Sequence, residues 1–286
     1  QRNSDWTGEG TFEEGWLLGE IVGDGGYNPD QYPTYVRFWG ENRKALADKA
    51  QNIARELPYD KHRPISMGVT SPKENLHNQT KSVTSRALDG LCVLDLDEEK
   101  VPLISPKSKD LLPQLEKMSS NFVRGFLRGF FDADGSVQGS TEKGITVRLS
   151  QSDLDKLKVV QRMLQRFGII SDIYANRRKD EKRYLPNGKG GKKEYFCKAN
   201  HELVISRDNL DVFQQVIGFN EVEKSNKLEK LLSSRLKNAY RETFTTTVTD
   251  IIPFGEEETF DCTVEEVHCF DGNGMTLHNC GEIILR

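Results

Sequence analysis

One arrangement occurs twice in the 286 residues: small side chains at every fourth position of a helical segment, closed by Asp-Gly. Gly15, Gly19 and Gly23 lead into Asp24-Gly25, and Gly125, Gly129 and Ala133 lead into Asp134-Gly135. Residues spaced by four share one face of a helix. An interior glycine costs about 1 kcal/mol relative to alanine, so several per helix must be offset, and close approach of two helix backbones is the natural offset. The spacing therefore predicts helices from about Glu13 to Asp24 and from Asn121 to Asp134, packed in parallel along their glycine stripes. Leu17, Leu18 and Ile21, and Phe126, Leu127 and Phe130, then face the cores of their own halves.

The repeat runs on past these helices. Strand-like Thr34 to Trp39 and Ile145 to Ser150 follow, then helical Asn42 to Leu57 and Asp153 to Phe167, then the echo Val83-Thr84-Ser85-Arg86 and Val204-Ile205-Ser206-Arg207. Two similar halves of roughly 110 residues are implied. Beyond Glu242 the texture changes to short strands, Thr245 to Ile252 and Thr259 to Val264, separated by glycines. That segment is too short to bury much core alone.

Parallel packing would bring the carboxylates of Asp24 and Asp134 together at two helix C-termini. There the negative end of each helix dipole disfavours an anion by roughly 0.3 to 1 kcal/mol before mutual repulsion is counted. A divalent cation reverses that sign, and oxygen-only ligation by one or two carboxylates suits Mg2+. An Asp-Gly pair taken alone is more often a turn; the duplication is what favours a site. Asp132 has Val22 as its counterpart and is assigned a structural role.

A net charge of -4 does not mark a nucleic-acid binder, but the distribution is uneven. Nine basic residues lie between Arg177 and Lys198 (Arg177, Arg178, Lys179, Lys182, Arg183, Lys189, Lys192, Lys193, Lys198) against three acidic ones. Turn formers Asn187-Gly188 and Gly190-Gly191 sit mid-segment, so a long basic hairpin is expected, of a kind that can enter a DNA major groove. Arg148 on the neighbouring strand is a further candidate contact. Five cysteines without a C-x-x-C pair argue against a disulfide framework. No apolar run approaches the ~20 residues of a membrane span and no secretion signal is seen, so a soluble, cytoplasmic, monomeric chain with no membrane partner is expected.

Leu17 to Gly25 (LLGEIVGDG) and Leu127 to Gly135 (LRGFFDADG) resemble the two motifs of the LAGLIDADG homing endonucleases, and Leu203 to Leu228 resembles the end of such a domain. The resemblance implies an α+β fold of two pseudo-symmetric αββαββα halves forming a DNA-binding saddle. It also implies Mg2+ shared by Asp24 and Asp134, and a lysine per half near the metal: Lys109 in the first, Lys224 or Lys227 in the second. The first motif departs from the family at Glu20 and Val22, which bears on whether both strands are cut.

The C-terminal run Thr259 to Cys280 ends His278-Asn279-Cys280. An asparagine amide can attack its own carbonyl and release the following residue when an imidazole assists, and a thiol just after the bond can accept an acyl group. The segment is similar to the C-terminal splicing motif of inteins, a Hint-type β module, which implies that His268 and Asp261 assist. A zinc site built from the same Cys and His residues lacks a standard spacing. Cys280 to Arg286 resembles a stretch of ribonucleotide reductases, the implied host.

The expected organisation is a linker (1–11) from a missing N-terminal splicing part acting in cis or trans, half 1 (12–118), half 2 (119–242), a splicing segment (243–279) and host sequence (280–286). The expected partner is double-stranded DNA bearing a long asymmetric site, the uninterrupted host gene. Two rival readings are an inactive, maturase-like nucleic-acid-binding module and a protein-splicing fragment without nuclease activity.

Overall fold

A computed structural model describes residues 5–57, 73–75, 80–96, 99–140, 142, 144–186, 191–235, 250, 252–253, 255–256, 269–272 and 275–278. The chain forms two compact units, Gln1–Tyr240 and Arg241–Arg286. The first half of the larger unit runs α1 (Phe12–Asp24), β1 (Gly25–Asn28), β2 (Tyr32–Trp39), α2 (Arg43–Glu56), β3 (Lys73–Asn75) and β4 (Thr80–Thr84). A small hairpin follows, β5 (Val93–Leu96) and β6 (Glu99–Pro102). The second half runs α3 (Ser120–Asp134), β7 (Gly135–Ser140), β8 (Gly144–Gln151), α4 (Leu154–Arg166) and β9 (Asp172–Arg178). After it come β10 (Glu181–Pro186), β11 (Lys192–Cys197), β12 (Asn200–Ser206), α5 (Asn209–Val216) and α6 (Val222–Ser233).

The two four-stranded antiparallel sheets have the same topology, β1-β2-β4-β3 and β7-β8-β12-β9. The architecture is α+β; of the αββαββα order that the resemblance implies, the second half shows every element, with the β10–β11 ribbon inserted before its last strand, whereas in the first half a 3-10 helix, Arg86–Cys92, follows β4 where the last α-helix is implied. Each sheet is half-buried by alternation. Val36 and Phe38 of β2 and Ile145, Val147 and Leu149 of β8 are buried, while Tyr35, Arg37 and Trp39, and Thr146, Arg148 and Ser150, face outward.

Local chemistry sets the start of both central helices. Thr11 and Glu14 form a capping box: the Thr11 Oγ1 accepts from the Glu14 N–H at 3.2 Å, and Glu14 Oε2 accepts from the Thr11 N–H at 2.7 Å. Ser119 Oγ accepts from the Phe122 N–H at 3.1 Å and opens α3. The glycine stripes then meet as the spacing predicts. A Cβ on Gly15 would lie 2.0 Å from the Phe122 carbonyl oxygen, one on Gly19 2.2 Å from that of Phe126, and one on Gly129 2.0 Å from that of Trp16. Only hydrogen fits there. Trp16, Leu17, Leu18, Ile21, Phe126, Leu127 and Phe130 are fully buried on either side of this seam.

Residues ahead of α1 dock rather than dangle. The Trp6 indole donates to the Met118 carbonyl at 2.8 Å, the Arg166 guanidinium covers its ring at 3.6 Å, and Asp5 pairs with Arg124 at 2.6 Å. Burial of the indole surface is what holds the segment.

The basic segment is the expected hairpin, β10 against β11 in a two-stranded ribbon; its tip, residues 187–190 with Lys189, lies outside the described residues. In the smaller unit β13 (Cys269–Gly272) pairs with β14 (Met275–His278). The strand expected over Thr245 to Ile252 is not continued by Asp250 and Ile252, which are irregular; Pro253 beside them cannot donate to a ladder. The rest of that strand and the one expected over Thr259 to Val264 lie outside the described residues.

Candidate active site

α1 and α3 end together. Asp24 and Asp134 are the last residues of their helices, and Gly25 and Gly135 continue in extended conformation directly into β1 and β7. These glycines do not make a turn. They allow close contact: a Cβ would lie 2.5 Å from the Tyr35 carbonyl oxygen at Gly25, and 2.4 Å from that of Phe131 at Gly135. At the adjoining rung a Cβ on Gly23 would be 2.3 Å from the Ala133 Cβ and 3.5 Å from Asp134 Oδ2, so the Asp134 carboxylate sits against the turn that carries Asp24.

Burial pushes the Asp24 carboxyl up to about 6, and the neighbouring Asp134 charge adds to the rise. Burial likewise raises Asp134, opposed first by the Gln151 amide and then by Lys109 and Lys224. Two carboxylates crowded in a half-dry site at the negative ends of two helices is an arrangement that a hard divalent cation relieves. The donor set of carboxylate oxygens fits Mg2+, with water and phosphate oxygens completing the shell. Among the described residues no group of three or more His, Cys, Asp or Glu could hold an ion by itself.

Each helix end carries one lysine. Lys109 Nζ donates to the carbonyls of Ile21 (3.2 Å), Gly23 (3.2 Å) and Gly25 (2.8 Å) at the end of α1. Lys224 Nζ donates to those of Phe131 (3.4 Å), Asp132 and Ala133 (3.3 Å) at the end of α3. The ammonium groups satisfy orphan carbonyls and complement the dipole. Lys109 does so from a left-handed backbone, φ 55°, in a loop tied by bonds among Ser105, Ser108 and Asp110. Burial lowers its amine to about 8, with the Lys156 charge adding. Of the two lysines read for the second half, Lys224 is the one at the helix end; Lys227 is exposed one turn on and makes none of these bonds.

Three neighbours escaped the sequence reading. Gln151, at the end of β8, donates to Asp134 Oδ2 at 2.6 Å. Trp39, at the end of β2, lines the same cavity as Asp24, and its indole opposes the rise of that carboxyl. Lys156 of α4 reaches the Ser108 carbonyl at 3.4 Å, and its amine is lowered mainly by burial. The two strand ends are not equivalent. Gly25 pairs with Val36 and Gly135 with Leu149, so the register counterpart of Gln151 is Phe38, and Trp39 stands at the next position. An amide both donates and accepts, whereas an indole only donates. A cavity of about 260 Å³ opens beside Asp24, lined among others by Glu20, Arg37, Trp39, Asp132 and Lys224.

Asp132, read from the sequence as structural, is spent on bonds between elements. It accepts from the Trp16 indole (3.0 Å) and from the backbone N–H groups of Asn220 (2.8 Å) and Glu221 (3.0 Å), binding α1 to the entry of α6.

The basic candidates fall into two groups. Arg148 and Arg177 both pair with Glu202 at 3.0 Å, Lys182 pairs with Glu194 at 3.1 Å, and Arg183 pairs with Glu181. Arg178, Lys179, Lys192, Lys193 and Lys198 are exposed. Asp261, His268, Asn279 and Cys280 lie outside the described residues, and His278 ends β14.

The family model for the LAGLIDADG-like domain matches residues 121–218. That stretch holds α3, Asp134 and the whole second sheet. The ribonucleoside-diphosphate reductase NrdEB subunit alpha of Bacillus subtilis is 31% identical over 285 residues, covering 94% of this chain and 25% of the reductase. A DNA polymerase of Thermococcus kodakarensis is 27% identical over 212 residues, 72% of this chain and 11% of the polymerase. The chain thus spans about a quarter or less of these relatives. A crystal structure of the homing endonuclease I-DmoI in complex with DNA and Ca aligns with a TM-score of 0.48 and 15% identity, covering 77% of this chain and 97% of that one. Among the described residues no helix is long and apolar enough to cross a membrane.

Proposed function

We propose that residues 12–242 are a site-specific, Mg2+-dependent endonuclease for double-stranded DNA, embedded in an intein whose C-terminal splicing residues are Asp261, His268, His278, Asn279 and Cys280. The observation that carries the nuclease reading is the pair Asp24 and Asp134, buried side by side where two glycine-packed helices end. Mg2+ held by these two carboxylates would activate a water and stabilise the leaving oxygen of a phosphodiester. Lys109 and Lys224, fixed on the adjoining carbonyls, place positive charge where a phosphate would approach, in a setting dry enough to strengthen it. Gln151 holds the Asp134 carboxylate in place. The two outward sheet faces and the basic ribbon supply groove and phosphate contacts, and their unequal sequences favour an asymmetric site.

The comparisons support the embedding. A reductase and a DNA polymerase carry out different reactions, yet each contains a stretch similar to this one, as an inserted element would. The reductase relative supports a ribonucleotide reductase host for Cys280 to Arg286. For splicing, the β13–β14 hairpin pairs Cys269 with His278, the chain neighbours of His268 and Asn279. Attack of the Asn279 amide nitrogen on its own carbonyl carbon would form a succinimide and break the bond to Cys280.

The test is nicking of a plasmid carrying the uninterrupted host gene, with Mg2+ against EDTA. Both strands are cut with Mg2+, neither with EDTA, and Asp134→Asn retains DNA in a gel shift without cutting it. Cleavage at the wild-type rate in that variant would mean that the carboxylates are not the metal site. Mass spectrometry of the full chain tests the second activity: loss of the seven residues from Cys280 onward is expected, and Asn279→Ala stops it.

A further inference from the structure

The ribbon carries a feature that phosphate contacts do not use. Its register sets Lys182 opposite Phe196 and Tyr184 opposite Glu194, so these four side chains share one face, with Tyr184 and Phe196 diagonal to each other. Tyr184 is 69% exposed and Phe196 66%, among the most exposed large hydrophobic side chains described. Neither belongs to the core cluster. The Lys182–Glu194 pair crosses the same face at 3.1 Å and frames them. The ribbon is also continuous with the outer edge of the second sheet, because Arg178 pairs with Asn200 just before Glu181 pairs with Cys197.

A large aromatic ring that could bury roughly 150 to 250 Å² is kept in water only at a loss unless a partner covers it. The charge of the segment names the partner's chemistry: nine basic against three acidic residues from Arg177 to Lys198, with Arg178, Lys192 and Lys193 exposed. A polyanion fits, and a two-stranded ribbon has the dimensions of a major-groove reader. The apolar feature on base edges in that groove is the thymine 5-methyl group.

We infer that Tyr184 and Phe196 form an apolar reading face for duplex DNA, the ribbon lying in the major groove with the two rings against thymine methyls. The inference rests on the DNA-binding reading above and adds a determinant of specificity to it.

The probe is a pool of randomised duplexes, from which wild-type full-length protein and the Tyr184→Ala/Phe196→Ala variant each select sequences. The wild type is expected to select thymine at one or two positions that the double variant leaves unselected. On the selected duplex the variant binds roughly tenfold more weakly, with an unchanged slope of affinity against salt because no phosphate contact is lost. Replacing those thymines by deoxyuridine costs the wild type a similar factor and the variant nothing. Equal loss on thymine and uracil duplexes would mean that the rings stack without reading methyls, and identical selection by both proteins would mean that they do not touch DNA; either overturns the inference while leaving DNA binding intact. If the wild type selects nothing, the DNA-binding reading itself falls. Both residues are exposed, so the melting temperature of the variant should match the wild type.

Discussion

At the scale of single residues, this fold concentrates carboxyl groups where water is scarce. Glu20 is 2% exposed, its Oε1 has no hydrogen-bond partner, and burial, followed by Asp132 and Asp24, pushes its carboxyl well above the usual range. A carboxyl raised in the folded state contributes its full stabilisation below the unfolded value near 4.5 and loses it as pH rises through the folded value. Glu20→Gln should therefore match the wild type in melting temperature near pH 4 and exceed it increasingly toward pH 8. A gap that stayed constant with pH would show that Glu20 is not held neutral. The unequal donors at the motif aspartates predict unequal chemistry. Gln151→Ala frees Asp134 from its 2.6 Å amide bond, whereas Trp39→Phe only trims the wall of the cavity beside Asp24. The first should slow cutting of one DNA strand by about tenfold or more, the second by less, and a strand-resolved nicking assay reads the difference. Gln151 could not be found from sequence, because a glutamine ending a strand carries no pattern; its role comes from the β7–β8 register.

Among elements, the seam between α1 and α3 decides everything downstream. Its backbones touch at Gly15, Gly19, Gly125 and Gly129, so a single methyl group forces the helices apart. Gly129→Ala should cost about 1 to 3 kcal/mol, the range for overpacking, and should lower cleavage further than stability alone explains, since it spreads the carboxylates. Urea unfolding with a nicking assay on the same protein tests both, and a cost below about 0.5 kcal/mol, the surface range, would contradict the contact. Asp132→Ala strands one indole and two backbone donors and should cost about 2 to 4 kcal/mol, on the scale of bonds to a charged acceptor. The helices and the strands after them were legible because periods of four and two survive in sequence; the lysines came from the resemblance, since a single lysine carries no period. The four-residue spacing also gave the parallel partner, since a glycine stripe has little other use. The choice between Lys224 and Lys227 was not legible. One turn separates them, and only the packing of α6 against the end of α3 settles which ammonium meets the carbonyls.

For the molecule as a whole, two copies of one topology place two outward sheet faces beside a shared pair of helix ends, and a further small unit follows. Each unit keeps its own contacts, so a chain ending at Tyr240 should unfold cooperatively with the core intact; a melting curve without a sharp transition would contradict that division. DNA affinity should fall steeply with salt despite a net charge of -4, because the exposed lysines and arginines of the ribbon are concentrated in one stretch. The sequence by itself determined the duplicated order of helices and strands, the glycine-to-glycine packing of two helices and the position of Asp24 and Asp134 at their ends, because periodicity and duplication are properties of chain order. Tertiary structure alone decided which lysine sits on which carbonyl, that Gln151 holds the Asp134 carboxylate, and that Tyr184 and Phe196 share one face of the ribbon. Those depend on register and on distances between segments far apart in the chain, and a list of residues holds neither.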